Sequence, residues 1–298
     1  MRKLSILLLA AFIAPALATL AEASSRIEKT LKLEPNGRFV LDSDVGNVTL
    51  TGVSSSGARV VISSSHDDLE SLCYINFKEN PGSASVTVRR KDPSGWNKHI
   101  SVHFEVQVPS QTQTEIRTEG GSIRLSNLQG DSELKTSHGP IEVSDLSGRL
   151  DAKTSHGPIH LQEVKGVARL DTSGGKIEVA SMDGSLTAHT SGGPIRVDRV
   201  TGYLEAKTSG SPIFVNLGRE NARGGVLETS GGSIEVEVDR SANLEIDAST
   251  SGLGSVTTDL PVRVVGKISS SSLRGLLGSG GEMLRLHTTG GSIHIRAL

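Results

Sequence analysis

The sequence predicts an all-β fold, a β-solenoid, and three observations predict it. A threonine-led loop recurs every 18 residues through the middle of the chain. β-Branched and other apolar residues stand two apart after each loop. Aromatic residues make up only 3% of the chain while glycine occurs 34 times, so the core must be thin and built from Ile, Val, Leu and Ala.

Self-similarity at a fixed period is the signature of a repeat architecture. Thr118, Thr136, Thr154, Thr172, Thr190 and Thr208 are successive loop origins 18 residues apart, and Thr229, Ser251 and Thr288 continue the series at intervals of 21, 22 and 37. Three residues after each origin stands a glycine, from Gly121 and Gly139 to Gly291, with Ser211 the exception. Two residues further comes Ile123, Ile141, Ile159, Ile177, Ile195, Ile213, Ile234, Val256 or Ile293. Polar residues such as Arg124, Glu142 and His160 separate these from a second apolar column. Period-2 alternation on β-branched residues predicts a half-buried strand. Phe214 breaks the polar column.

A second strand occupies the same period. Leu128, Leu146, Val164, Met182 and Val200 precede a column of glycines at 130, 148, 166, 184 and 202, and apolar pairs such as Leu150 and Ala152 follow it. Each unit therefore reads as strand, glycine turn, strand, glycine turn. The glycines are expected to supply backbone freedom, including positive φ, where the coil reverses. One unit cannot bury its apolar stripe alone, whereas units stacked about 4.8 Å apart bury it continuously. The pattern is a coil of about 18 residues with two strands. An acyltransferase-type hexapeptide helix would place apolar residues at 147 and 153, where Ser147 and Lys153 stand. Calcium-binding nonapeptide coils need an aspartate that the Gly-Gly-Ser-Ile loops lack.

The remaining elements follow in order. Residues 1–23 read as a signal peptide: Arg2 and Lys3, an apolar run, then small-x-small sites that place cleavage after Ala18 or Ala23. No cysteine follows that run to suggest lipidation. Residues 24–117 are β-rich but irregular, with strands expected at 38–41, 47–51, 58–63, 84–89 and 99–109. The segment Ser43 to Val48 looks like a degenerate copy of the loop. This region is expected to form early coils and to cap the stack, because an open solenoid end is an exposed sheet edge. Regular repeats are expected over 118–298, with a loop insertion at about 261–282.

The formal net charge is −2 and no run of basic residues occurs, which argues against a nucleic-acid partner. No apolar segment beyond the leader is long enough to span a membrane. The single cysteine, Cys73, lies in the apolar stretch SLCYINF and reads as a buried small hydrophobe.

The opening RIEKTLKLEPNGRFVLDSDVGNVTLTG, the transition VQVPSQTQTEIRTEGGSIRL, the tandem T-S-x-G-x-I coils and the closing LRGLLGSGGEMLRLHTTGGSIHI carry a resemblance. Over nearly the whole length after the leader, the chain resembles an adhesin-like family of exported bacterial proteins, a domain of unknown function with a β-solenoid fold. The resemblance implies a periplasmic, cell-surface or secreted location and suggests adhesion. It brings no catalytic residues with it.

Two constellations could carry chemistry. The hexad TSHGPI occurs twice, so His138 and His156 should be neighbours on adjacent coils and are the candidate metal ligands. The next coils carry Gly174, Gly192 and Gly210 at that place, so a third ligand is missing. Glu142, Asp145, Asp151, Asp171 and Glu178 lie on coil faces, and a suitably spaced pair could hydrolyse glycosides. The sequence contains no nucleophile elbow, phosphate loop or zinc helix. The expected function is a non-enzymatic binding or adhesion scaffold in the bacterial envelope, without cofactor, with polysaccharide or an envelope protein as partner. The alternatives are an envelope-stress or signalling accessory protein and a carbohydrate-active enzyme.

Overall fold

The computed structural model describes residues 25–92, 100–218, 221, 223–265 and 269–298. The signal-peptide segment lies outside them, as does residue 99 at the start of the last N-terminal strand expected from sequence. The described chain is strands and turns, with a single-turn helix at Leu69–Leu72. All of its named strands join one 25-stranded sheet that winds through successive coils.

The 18-residue period is a register. Ile141–Thr154 and Ile159–Thr172 pair in parallel from Ile141↔Ile159 to Thr154↔Thr172 without a slip. Ser132–Lys135, Met182–Thr190 and Leu204–Thr208 extend one side of this ladder. Ile123–Gln129, Ile177–Val179, Ile195–Val197 and Ile213–Leu217 extend the other. Each coil turns Ile141, Val143, Leu146, Leu150 and Ala152, or their equivalents, inward, and these five are at most 2% exposed. Burying a larger aliphatic side chain contributes roughly 1.5–3 kcal/mol. The core thus grows by a constant increment per coil.

Between the two strands lies a short third side, the column Leu128, Leu146, Val164, Met182 and Val200. In three successive coils, the corner before it is a non-glycine residue in the left-handed region: Asn127 at φ 59°, Asp145 at 52° and Glu163 at 55°. Asparagine and aspartate adopt that conformation readily, and Glu163 is held there by the register of its neighbours.

The threonine column is bonded vertically. Thr136, Thr154, Thr172, Thr190 and Thr208 each donate Oγ1–H to the glycine carbonyl of the preceding coil at 2.8–3.1 Å. The same hydroxyls at Thr154, Thr172 and Thr190 accept the N–H of their own loop's glycine at 3.2–3.3 Å. A buried threonine thereby satisfies two backbone groups that the turn leaves unpaired.

The first glycine column differs from expectation. Gly139, Gly157, Gly175 and Gly193 do not need positive φ. A Cβ at Gly157 would stand 1.9 Å from the Gly139 carbonyl oxygen, and one at Gly139 would stand 2.0 Å from that of Gly121. These glycines exist because backbone rests on backbone between coils. The second column does use positive φ, at Gly148 (149°), Gly166 (119°) and Gly184 (135°).

Both ends depart from chain order. Arg38–Ser43 lies between Ser83–Arg90 and Gln113–Thr118, parallel to both. Asn47–Val53 likewise lies between Val102–Pro109 and Ile123–Gln129. Gly46 continues the glycine column, since its carbonyl accepts from Thr118 Oγ1 at 2.9 Å, in line with the loop copy read at 43–48. Three antiparallel strands then close this end: Cys73–Asn80, Ala58–Ser64 and Ser25–Leu31. Cys73 is buried, and burial pushes its thiol pKa up.

At the other end, Glu282–Thr288 is inserted between Gly225–Thr229 and Leu244–Thr250, and Ile293–Ala297 between Ile234–Val238 and Val256–Thr258. This explains the loosened period. In space Thr288 precedes Thr250, and Thr250 rather than Ser251 is the origin in register. The 21-residue interval before Thr229 accommodates Asn221, whose Nδ2 donates to the carbonyls of Val200 and Gly202 at 3.1 Å each. The stretch expected as a loop insertion contains Ser272–Leu277, which pairs antiparallel on the outside of Leu244–Thr250. Its turn at 278–281 straddles Asn243, which accepts the Ser279 N–H at 2.8 Å. A fixed repeat period specifies parallel rungs, and an antiparallel cap strand does not share it.

Candidate functional site

The coils expose two ladders of polar side chains. On one, the residue before each threonine origin forms a row: Asp42, Arg117, Lys135, Lys153, Asp171, His189, Lys207, Glu228 and His287 in register from coil to coil. The residues after the origins form a serine row that includes Ser137, Ser155, Ser173, Ser191 and Ser209. Between these rows runs a groove of about 1150 Å³ with the threonines along its floor. Of the candidate site residues picked from sequence, Asp171 lines it. Reading the columns one before and one after each origin is the signal that finds it.

The groove wall is tied by ion pairs. Arg117 bonds Glu115 at 2.7 Å and Glu133 at 3.2 Å, and Lys135 bonds Glu133 at 2.5 Å. Lys135 and then Arg117 hold the Glu133 carboxyl below the usual carboxylate range. His189 stands 3.6 Å from Asp171 and 3.2 Å from Glu205. Lys207 bonds Glu205 at 2.9 Å and Glu228 at 3.3 Å. It is the main cause of a depressed Glu205 pKa, with His189 adding to the effect.

The opposite ladder carries the expected Arg124–Glu142–His160–Glu178 column. Arg124 bonds Glu142 at 2.7 Å, and Glu178 is reached by His160 at 2.8 Å and Lys176 at 2.9 Å. Lys176 is the first cause of the lowered Glu178 pKa. This face holds a smaller depression, of about 830 Å³, that includes Ser126, Ser144 and Ala180.

The candidate histidines do meet. The His138 and His156 rings stack with centroids 5.1 Å apart and planes within 8°. Parallel stacked rings direct their nitrogen lone pairs side by side rather than toward a common point. Each Nδ1 lies near a backbone carbonyl of the preceding coil, Glu119 O at 3.5 Å and Ser137 O at 3.4 Å. Among the described residues no group of three or more His, Cys, Asp and Glu side chains could hold a metal.

The five acids are dispersed. Glu142 and Glu178 sit two rungs apart on one ladder with His160 between them. Asp151 and Asp171 sit on the other, and Lys153 lies 3.7 Å from the first and 3.9 Å from the second. Asp145 occupies a left-handed corner. Four of the five are within ion-pair range of a basic side chain, and the structure gathers no pair into an enclosed cleft. Among the described residues no helix is long and apolar enough to cross a membrane, a statement that does not extend to β-barrels.

Comparison with solved structures finds folds of similar extent at low identity. A "putative adhesin" from Bacteroides fragilis is 13% identical, with 92% of this chain and 97% of that chain covered and a TM-score of 0.44. A "putative lipid binding protein" from Parabacteroides distasonis is 12% identical, with 92% and 96% covered and a TM-score of 0.45. A "putative cell adhesion protein" from Clostridium sporogenes is 10% identical, with 92% and 100% covered and a TM-score of 0.29. Comparison with curated proteins finds no match. The family pattern described as Toastrack DUF4097 matches residues 76–296. That span covers the repeats, the inserted closing coil and part of the opening cap, so the chain belongs to the Toastrack DUF4097 family.

Proposed function

We propose that this protein is an exported, non-enzymatic scaffold of the bacterial envelope that binds polysaccharide or an envelope protein along its polar faces. The carrying observation is the groove beside the threonine loops: a continuous row of hydroxyls and charges repeated at every rung, with side chains paired to their neighbours rather than converging on one point. Such a surface suits many weak contacts to an extended partner, where affinity comes from multiplicity. Export is supported by the leader-like residues 1–23, with Arg2, Lys3 and an apolar run before Ala18 and Ala23. The test is a glycan array with the protein lacking residues 1–23, run alongside an assay for reducing sugar. Retention of glycans without release of sugar supports the scaffold. Released sugar would establish the carbohydrate-active alternative. Capture of one defined envelope-stress or signalling protein with no glycan retained would favour the signalling alternative.

A further inference from the structure

One stretch of the groove breaks the charge rule that the rest obeys. From Lys153 onward the row mixes signs, Lys153–Asp171–His189–Lys207–Glu228. Before it, Arg117, Lys135 and Lys153 stand in register on three consecutive rungs. Like charges directly opposite one another in a sheet destabilise it, and rungs are only about 4.8 Å apart. A local rule broken inside a regular structure marks a place where function is expected. Their acidic partners Glu115, Glu133 and Asp151 form a parallel row two residues away and do not line the groove, so the cations form the groove-side row.

The donors of this row are not exhausted. Lys153 Nζ is 3.7 Å and 3.9 Å from its carboxylates, too long for a hydrogen bond. Arg117 uses one nitrogen, Nη2, for both of its acids, which leaves guanidinium donors over. Across the groove stand Ser137 and Ser155, and beside them the exposed stacked pair His138 and His156. Acids bound the row at both ends, Asp42 on one side and Asp171 on the other, so the cationic segment is about three rungs long.

We propose that Arg117, Lys135 and Lys153, with the hydroxyls of Ser137 and Ser155 and the His138–His156 pair, seat the acid groups of an acidic polysaccharide lying along the groove. This rests on the scaffold reading above and names its ligand class. The chemistry favours a polysaccharide over other polyanions. No Phe, Tyr or Trp lines the groove, so it offers none of the rings on which single-stranded nucleic acids stack. The groove runs across paired rungs instead of along a free sheet edge, so it offers no ladder for an acidic peptide to extend. Hydroxyl rows beside cations match a chain bearing both hydroxyls and carboxylates.

The test measures binding of alginate, a polyuronate, by titration calorimetry at low and at high salt. Dextran, poly-glutamate and single-stranded DNA serve as comparison polymers. Alginate is expected to bind, and to weaken with salt because exposed charges are screened. The double variant Lys135→Ser/Lys153→Ser should lose roughly tenfold or more in affinity, while Lys207→Ser, in the mixed-sign part of the groove, should stay within about twofold. These lysines are partly exposed, so the variants should fold, and circular dichroism checks that. If the double variant unfolds, His138→Ala/His156→Ala replaces it, with a loss of affinity again expected. The inference is overturned by no alginate binding, by equal binding of dextran, poly-glutamate or DNA, or by affinity indifferent to the Lys135 and Lys153 substitutions. In the last case a glycan still bound elsewhere leaves the scaffold reading standing. A glycan array with no ligand, together with no envelope protein captured, sinks both.

Discussion

Between Thr118 and Thr208 the chain climbs one rung every 18 residues, and order in space is order in sequence. At the two ends it is not. Residues 38–53 are held between two later segments, and residues 282–297 between two earlier ones. The middle is stabilised by repetition, since each coil meets nearest neighbours of its own kind. The ends are stabilised by interleaving, and their outermost rungs are then covered by antiparallel strands. A repeat must stop somewhere, and a bare final rung is a template for unwanted pairing. The difference teaches that stopping the stack needs nonlocal contacts, which the repeat itself does not supply.

The strongest way to break the comparison is to end the chain after Gly281. This removes the inserted rung and leaves 244–277 without its inner partners. Hydrogen exchange should show loss of protection throughout 244–277, with 141–172 unchanged. Retained protection at 244–277 would mean that the C-terminal end does not depend on interleaving.

Next in size is Gly157→Ala, whose Cβ would meet the Gly139 carbonyl oxygen at 1.9 Å. Two coils must part to admit it, at a cost of about 3 kcal/mol or more. Gly174→Ala in the same loop meets nothing nearer than 3.9 Å and should be close to neutral by urea unfolding. Equal effects at the two sites would refute backbone contact as the reason for the glycine column.

Thr172→Val keeps the shape but removes the donor to Gly157 O (3.1 Å) and the acceptor for Gly175 N–H (3.2 Å). Leaving buried backbone groups unpaired costs about 1–3 kcal/mol. Chemical denaturation of this variant measures the vertical bond directly.

The smallest effect is the pH response of the surface ladder. Lys207 lowers the Glu205 pKa in the folded chain, and Lys135 lowers that of Glu133. A depressed carboxylate pKa contributes stability that is fully present above the ordinary carboxylate range and is lost as pH falls through the lowered value. Thermal stability should therefore decline on acidification below that range. Glu205→Gln should blunt the decline by a few tenths of a kcal/mol, and high salt should reduce the difference further. An unchanged acid limb in the variant would show that the ladder is electrostatically idle.

The coils were legible because their cause is local. Ile141, Val143, Leu150 and Ala152 recur with the period, and the period fixed their register to the residue. The strand at Ser272–Leu277 was not legible. It pairs antiparallel on an outer edge, and SSSSLRGLLGSGG reads by composition as a loop. The spatial order of Thr288 and Thr250 was hidden for a related reason: a repeat pattern says which residues are equivalent, not which rung lies next to which. The histidine contact followed from the period alone. The cationic run at Arg117, Lys135 and Lys153 was visible in principle, one residue before each origin, but separate rows acquire meaning only once a groove lies between them.

The inserted C-terminal rung has a mechanical consequence. An outermost strand can be peeled from the stack one bond at a time. Ile293–Ala297 is flanked by Ile234–Val238 on one side and Val256–Thr258 on the other. Tension entering at that end must shear two parallel rows of hydrogen bonds together before any coil is released, whereas tension at Ser25–Leu31 loads a single pairing with Ala58–Ser64. The two ends are thus mechanically unequal, with the C-terminal rung clamped on both sides and the N-terminal strand on one.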